Sequence, residues 1–417
     1  MLSNIKRVMQ ELDLEKYWLI KHEIIKNSID YISDNFKSSL VKTTKIELYF
    51  LYDKNILGRI TFGQLSYESL KKVVQQYVKN KVFYIKSYSM FKSNKNITAY
   101  SESSNHNESS NYTDLIHAEI ETIKKREYYN LNAKNLYIKD IINLYYNDQI
   151  IEQIYEKNYS QLSFIDEKFN FIVRESIPEA GMYDDMISNS KKNQVLSDYN
   201  GIHEEKKYEL LKFSRDIFSS ICKLFISTLN GYLVLNNSTF MKKDNIGKQI
   251  LSPNISLIDD PYFYDDHFSY DSEGIELRKK KLIDHGVFNE CLNDLVSSQV
   301  LGQNPGNAQY NYILNNNIIS SSYIIFEFNS SKKQYYNYEA YIFEIVENNI
   351  ILDSEKGFLS FNCIGVNSKN ENKRYKININ IIDFFNNIVQ IEGKKMDCDS
   401  YIVPEVIIKF GGNNAEC

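Results

Sequence analysis

Beyond residue 228 the apolar residues of this chain come in short β-branched and aromatic runs, each soon broken by Asn, Gly or Lys. Leu229–Leu235, Tyr323–Phe328, Tyr341–Val346, Ile350–Leu352, Phe358–Ile364, Tyr375–Ile379 and Tyr401–Phe410 read as strands. Such side chains fit a pleated, half-buried surface, and the breakers supply the turns. Two helical runs, Leu210–Phe225 and Ile381–Val389, interrupt them. No apolar stretch approaches the roughly 18–20 uncharged residues that cross a bilayer. Helical and strand runs are segregated rather than alternating, which predicts an α+β fold over a doubly wound parallel sheet.

The first 80 residues read helix, hairpin, helix. From Leu2 to about Phe36 the apolar residues Leu14, Tyr17, Trp18, Ile24, Ile25, Ile29 and Ile32 recur at helical spacing, predicting a helix or helix pair. Ile46–Tyr52 and Leu57–Phe62, joined by Asp53-Lys54-Asn55, predict a hairpin. Ser66 is placed to cap a following helix whose Leu70, Val73, Val74, Tyr77 and Val78 share a face. Residues 92–112 are Ser/Asn-rich and predict a long flexible loop, with a helix at 113–126 and strands near 135–143 and 161–174. A chain of 417 residues accommodates two domains of about 100–200 residues each. The expected division is an N-terminal α+β domain over 1–175, an α/β arrangement with the helix-hairpin-helix start. A linker over 176–205 follows, then a β-rich domain of antiparallel sheets over 206–417.

Charge and cysteine usage narrow the function. The net charge is −5, from 49 basic and 54 acidic residues with the signs interleaved, so a nucleic-acid binder with a basic face is not expected. Cys222, Cys291, Cys363, Cys398 and Cys417 are odd in number and widely spaced, which argues against a disulfide scaffold or zinc ribbon. The N-terminus passes at once into Glu11, Asp13, Glu15 and Lys16, with no signal-peptide core. A cytoplasmic protein without membrane attachment is expected.

No complete catalytic constellation stands out. A helical zinc site of the protease type needs two imidazoles one turn apart with a carboxylate beside them. His22-Glu23 and His203-Glu204 begin such a pattern, and neither has a second His within five residues. Asp259-Asp260-Pro261-Tyr262-Phe263-Tyr264-Asp265-Asp266-His267 is dense in oxygen ligands but lacks the spacing of a calcium loop. Gly302-Gln303-Asn304-Pro305-Gly306-Asn307 is a tight loop without the Lys-Ser/Thr end of a phosphate loop. Cys222 lies on a helix beside Ile221 and Leu224 and reads as packing, whereas Cys398 lies in a polar turn.

An ordered set of local patterns resembles the TldD/PmbA family, also called TldD/TldE and modulators of DNA gyrase. It comprises Asn237-Ser238-Thr239-Phe240, Ile246–Leu251, Ile258-Asp259-Asp260-Pro261, Tyr270–Ile275, Leu282–Val287 and the Gly302–Asn307 loop. Asp383–Ile388 and Cys398–Glu405 continue it near the C-terminus, and Leu51–Val78 is similar to the family's first domain. The resemblance implies half of a protease pair. TldD holds zinc on an HExxxH helix with a late cysteine. TldE lacks that motif, and the pair digests unfolded peptides, including leaders of ribosomally made peptide natural products. Aligned on Ser238-Thr239-Phe240, the HE positions fall at Arg215 and Asp216 and the second His at Ser220. Cys398 matches the late cysteine. Arg215 has no lone pair to give a metal. The chain therefore resembles TldE.

The resemblance then implies a chain inactive by itself, with no catalytic, cofactor or metal residue of its own and zinc in a TldD-like, HExxxH-bearing partner. The two would form a heterodimer that takes extended peptide as an added strand. The stretch Ser354–Lys369 is shortened and Asn-rich relative to the family, and the 92–112 loop has no counterpart in it. Two alternatives stand beside this reading. One is a self-sufficient metallohydrolase with a relocated site built from Asp259, Asp260, Asp265, Asp266, His267 or Cys398. The other is a peptide-binding module without proteolysis.

Overall fold

The computed structural model describes residues 2–14, 16–32, 35–52, 56–63, 66–80, 129–146, 149–166, 169–175, 210–264, 269–311, 316–329, 336–367, 369, 371–398 and 400–410. The chain forms two units, Met1–Lys192 and Asn193–Cys417.

In the N-terminal unit helix α1 (Leu2–Glu11) precedes strands β1 (Lys16–Ile32), β2 (Asn35–Tyr52) and β3 (Ile56–Phe62). Helix α2 (Tyr67–Asn80) and strands β4 (Tyr129–Tyr146), β5 (Gln149–Asp166) and β6 (Phe169–Glu175) follow. The strands make one antiparallel sheet in the order β3-β2-β1-β4-β5-β6. Ile5, Val8 and Met9 of α1 and Leu70 and Val74 of α2 pack with Leu19, Ile46, Leu48, Phe50 and Ile60. Full burial of each such side chain is worth about 1.5–3 kcal/mol. Ser66 caps α2 as expected, its Oγ accepting from the Ser69 N–H at 3.2 Å.

The helix predicted as far as Phe36 stops at Glu11, and the rest of that stretch is β1. Trp18, Ile20, His22 and Ile24 are all buried, and this period of two marks a strand. His22 masks the alternation in the sequence. Its burial is matched by Asp140 of β4, whose Oδ2 lies 2.7 Å from the imidazole Nδ1. The 92–112 loop, the 113–126 helix and the 176–205 linker lie outside the described residues.

The C-terminal unit begins with β7 (Leu210–Phe213), α3 (Arg215–Ser227) and α4 (Gly231–Leu235). Next come β8 (Ile255–Asp259), β9 (Lys280–Asp284), β10 (Val287–Phe288), α5 (Leu295–Leu301), β11 (Ala308–Asn311), β12 (Asn316–Ile319) and β13 (Ile324–Phe328). It ends with β14 (Ala340–Asp353), β15 (Phe358–Asn367), β16 (Asn372–Asn380), α6 (Ile381–Asn386), β17 (Ile388–Cys398) and β18 (Tyr401–Lys409). Ten strands form a sheet in the order β10-β9-β8-β13-β18-β7-β14-β15-β16, with β17 paired to β18. Most neighbours are antiparallel, as expected, but β13 with β18 and β14 with β7 are parallel. Phe218 and Phe225 of α3 bury their rings against Phe326 and Phe385, at centroid distances of 4.9 Å each.

Three expectations need correction. Residues 210–213 are strand rather than the first turn of a helix, because Leu211 and Phe213 point inward at a spacing of two. Leu229–Leu235 is not a strand. Asn230 accepts from the N–H groups of Tyr232 and Leu233 and caps α4. The Ile381–Val389 helix ends at Asn386, after which the chain extends into β17.

Candidate functional site

Four elements converge where the sequence placed the degenerate zinc positions. Strand β7 carries Lys212, the first turn of α3 carries Arg215 and Asp216, and β14 carries Tyr341. The β17–β18 hairpin brings Glu392, Cys398 and Glu405. Alternation in β7 turns Leu211 and Phe213 into the core and leaves Lys212 on the other face. Its ammonium lies 2.8 Å from Glu392 and 2.9 Å from Glu405, and the Tyr341 hydroxyl donates to Glu405 at 3.0 Å. Partial burial opposes the charge on Lys212, but the two carboxylates outweigh it and hold the ammonium well above the usual lysine range. Burial, reinforced by Glu405, pushes the Tyr341 phenol up to about 12.

The structure brings Asp216 and Cys398 together. The Cys398 thiol is pushed up to about 11, first by burial and then by the Asp216 carboxylate, to which it hydrogen-bonds. Asp216 sits in the first turn of α3, where the helix dipole favours a carboxylate. Its carbonyl accepts from the hydroxyls of Ser219 and Ser220, at 2.9 and 2.8 Å. Arg215 turns the other way, its Nε donating to the Lys394 carbonyl at 3.2 Å. The β17–β18 register shifts between Glu392 and Met396, and Gly393 there adopts φ +71. A Cβ on Gly393 would lie 2.6 Å from the Arg215 guanidinium, so the bulge is shaped around this arginine.

Zinc, which the resemblance implies for this helix in one subunit type, does not fit these residues. Arg215 is a cation without a lone pair, and the Ser220 hydroxyl is committed to its own helix. That leaves the Cys398 thiol and the Asp216 carboxylate, two donors where zinc takes three or four protein ligands. Among the described residues no three His, Cys, Asp or Glu side chains gather as metal ligands. What stands at the site is a set of ion pairs and hydrogen bonds.

The other sequence-flagged residues lie elsewhere. Asp265, Asp266 and His267 fall outside the described residues. Asp259 accepts from Asn307 Nδ2 and the Ser322 N–H, both at 2.7 Å, and Asp260 pairs with Lys279 at 2.7 Å. The Gly302–Asn307 loop carries a buried Asn307 whose Oδ1 takes the Lys280 ammonium at 2.5 Å. Burial raises Asp259 to about 6 and lowers Lys280 to about 8. Asp271 accepts from the N–H groups of Glu273, Ile275 and Ala308. Glu273 accepts from the Leu295 N–H at the start of α5. The Asp271–Gly274 pattern therefore ties loops together. Cys222 is buried in the core, as its helix position implies. Sequence reasoning missed Lys212, Tyr341, Glu392 and Glu405. Each reads locally as an outward strand position, and their meeting is visible only across β14-β7-β18-β17.

Residues 205–411 match the family model described as the PmbA/TldA metallopeptidase C-terminal domain. No curated protein matches the chain. Three solved structures are similar in fold. TldE from Thermococcus kodakarensis aligns with a TM-score of 0.71 and 12% identity, covering 99% of both chains. A protein named a modulator of DNA gyrase from Bacteroides thetaiotaomicron aligns with a TM-score of 0.70 and 14% identity, covering 98% of this chain and 97% of the other. One so named from Thermotoga maritima gives 0.70 and 16%, covering 98% of both.

Proposed function

We propose that this chain, which belongs to the PmbA/TldD metallopeptidase family, is the zinc-free, TldE-like subunit of a two-subunit peptidase. The observation that carries the reading is Arg215. Its guanidinium, at the position that the sequence resemblance matches to the first His of the zinc motif, donates to the Lys394 carbonyl beside Gly393 of β17. Zinc would belong to a TldD-like partner bearing HExxxH, and the pair would form a heterodimer acting on unfolded peptides or leader segments. The peptide would lie extended, its main chain supplying the hydrogen bonds. Free thiols at Cys222, Cys291, Cys363 and Cys398 support work in the reducing cytoplasm. No helix among the described residues is long and apolar enough to cross a membrane.

The test is reconstitution. The purified chain is expected to carry no stoichiometric zinc by elemental analysis and to leave an unfolded peptide intact. Cleavage should appear on adding an HExxxH-bearing relative from the same source, above the level of that relative alone. Hydrolysis by this chain alone rejects the reading. Capture of the peptide with no cleavage on adding the relative leaves a binding module instead.

A further inference from the structure

The most cationic stretch of the chain, Arg278-Lys279-Lys280-Lys281, runs into β9 near the edge of the ten-stranded sheet. A chain of net charge −5 places four consecutive cations there, and all four line one cavity of about 330 Å³. Glu290 is the one carboxylate in its wall. That carboxylate already accepts from Asn304 Nδ2 at 2.8 Å. The wall thus carries an excess of positive charge, four cations against one carboxylate.

The four cations are not equally engaged. Lys279 pairs with Asp260 at 2.7 Å, and Lys281 lies 3.1 Å from both oxygens of Asp284. Lys280 is among the lining residues although it is only 2% exposed. Two of its three N–H groups go to the Asn304 carbonyl at 3.1 Å and Asn307 Oδ1 at 2.5 Å, which leaves one donor. Arg278 is exposed and has no carboxylate partner among the described residues. A buried ammonium with a spare donor and an unpaired guanidinium fork in one cavity suit a planar or tetrahedral oxyanion, which takes several charge-assisted hydrogen bonds at once.

From this geometry we infer that the cavity beside β9 is an oxyanion-binding site, taking a carboxylate or a phosphate group on Arg278 and Lys280 with Lys281 at the rim. The inference stands apart from the peptidase reading, since it uses none of Arg215, Asp216, Ser220 or Cys398. Burial lowers the Lys280 ammonium to about 8 against the opposing pull of the Asp259, Glu290 and Asp271 carboxylates, and a bound anion would add to that pull.

Calorimetric titration of the whole chain tests the site, with inorganic phosphate in one arm and N-acetylglutamate in the other. Saturable binding in at least one arm is expected, and the arm that saturates more tightly identifies the source of the group. Arg278→Gln should weaken that binding about tenfold or more, as loss of a charged hydrogen-bond partner does, without changing the thermal midpoint. Lys243→Gln, an exposed charge removal elsewhere in this unit, should leave it unchanged. No saturable binding in either arm up to about 10 mM overturns the proposal. Equal weakening by Arg278→Gln and Lys243→Gln overturns it too, because non-specific charge attraction would then account for the signal.

Discussion

At the scale of single residues, charge governs both clusters of the C-terminal unit. Arg215, Asp216, Ser220 and Cys398 stand at the positions that the sequence resemblance matches to the family's zinc site, and Asp216 and Cys398 are in contact. Replacing the donors should therefore regain the metal. The triple variant Arg215→His, Asp216→Glu, Ser220→His is expected to bind about one zinc per chain by elemental analysis, and adding Cys398→Ser should weaken it. A folded triple variant without zinc would show that the frame has diverged beyond side-chain chemistry. The buried Asp259 supplies a second prediction. Its folded pKa of about 6 lies above the unfolded carboxylate value of about 3.9. The folded state then holds the proton more tightly, so the contribution to stability is full below pH ~4 and is lost as pH rises through about 6. Urea unfolding of wild type, measured relative to Asp259→Asn, should lose on the order of 2–3 kcal/mol between pH 4 and 6.5. A flat difference between the two proteins would refute it.

At the scale of elements, one lysine ties three strands together. Lys212 of β7 bonds Glu392 of β17 and Oε2 of Glu405 of β18, while the Tyr341 hydroxyl of β14 donates to the other Glu405 oxygen. The Lys212 side chain is only 13% exposed, so little water is available to replace it. Lys212→Met should leave two carboxylates facing each other and destabilise the unit by about 2–4 kcal/mol in denaturant unfolding. Adding Glu405→Gln should recover part of that loss. If the double variant is no better than the single one, the lysine acts through packing instead. The elements themselves differ in how far the sequence reveals them. Tyr401–Lys409 and Phe358–Asn367 are legible because β-branched and aromatic residues dominate strands buried in a sheet. Strand β1 is not, because His22 interrupts its apolar face, and its contact with Asp140, 118 residues away, is not visible in the local sequence. Helix α4 is misread for the opposite reason: its apolar run suits a strand, and the Asn230 cap decides otherwise.

At the scale of the whole molecule, the family fold is kept over 98–99% of the chain at 12–16% identity to solved relatives. Mixing with an HExxxH-bearing relative should give a one-to-one complex in size-exclusion chromatography with light scattering. Two separate peaks at micromolar concentration would argue against a stable heterodimer. The sequence by itself determined the α+β class, the β2–β3 hairpin and the Ser66 cap of α2. Each of these rests on local periodicity or on the chemistry of a single side chain. Only the tertiary structure decided that Lys212 meets Glu392 and Glu405, and that Arg278 and Lys280 share a cavity. Those outcomes depend on which strands become neighbours, and strand neighbours are chosen by burying apolar area across the whole unit, a sum that no short stretch of sequence contains.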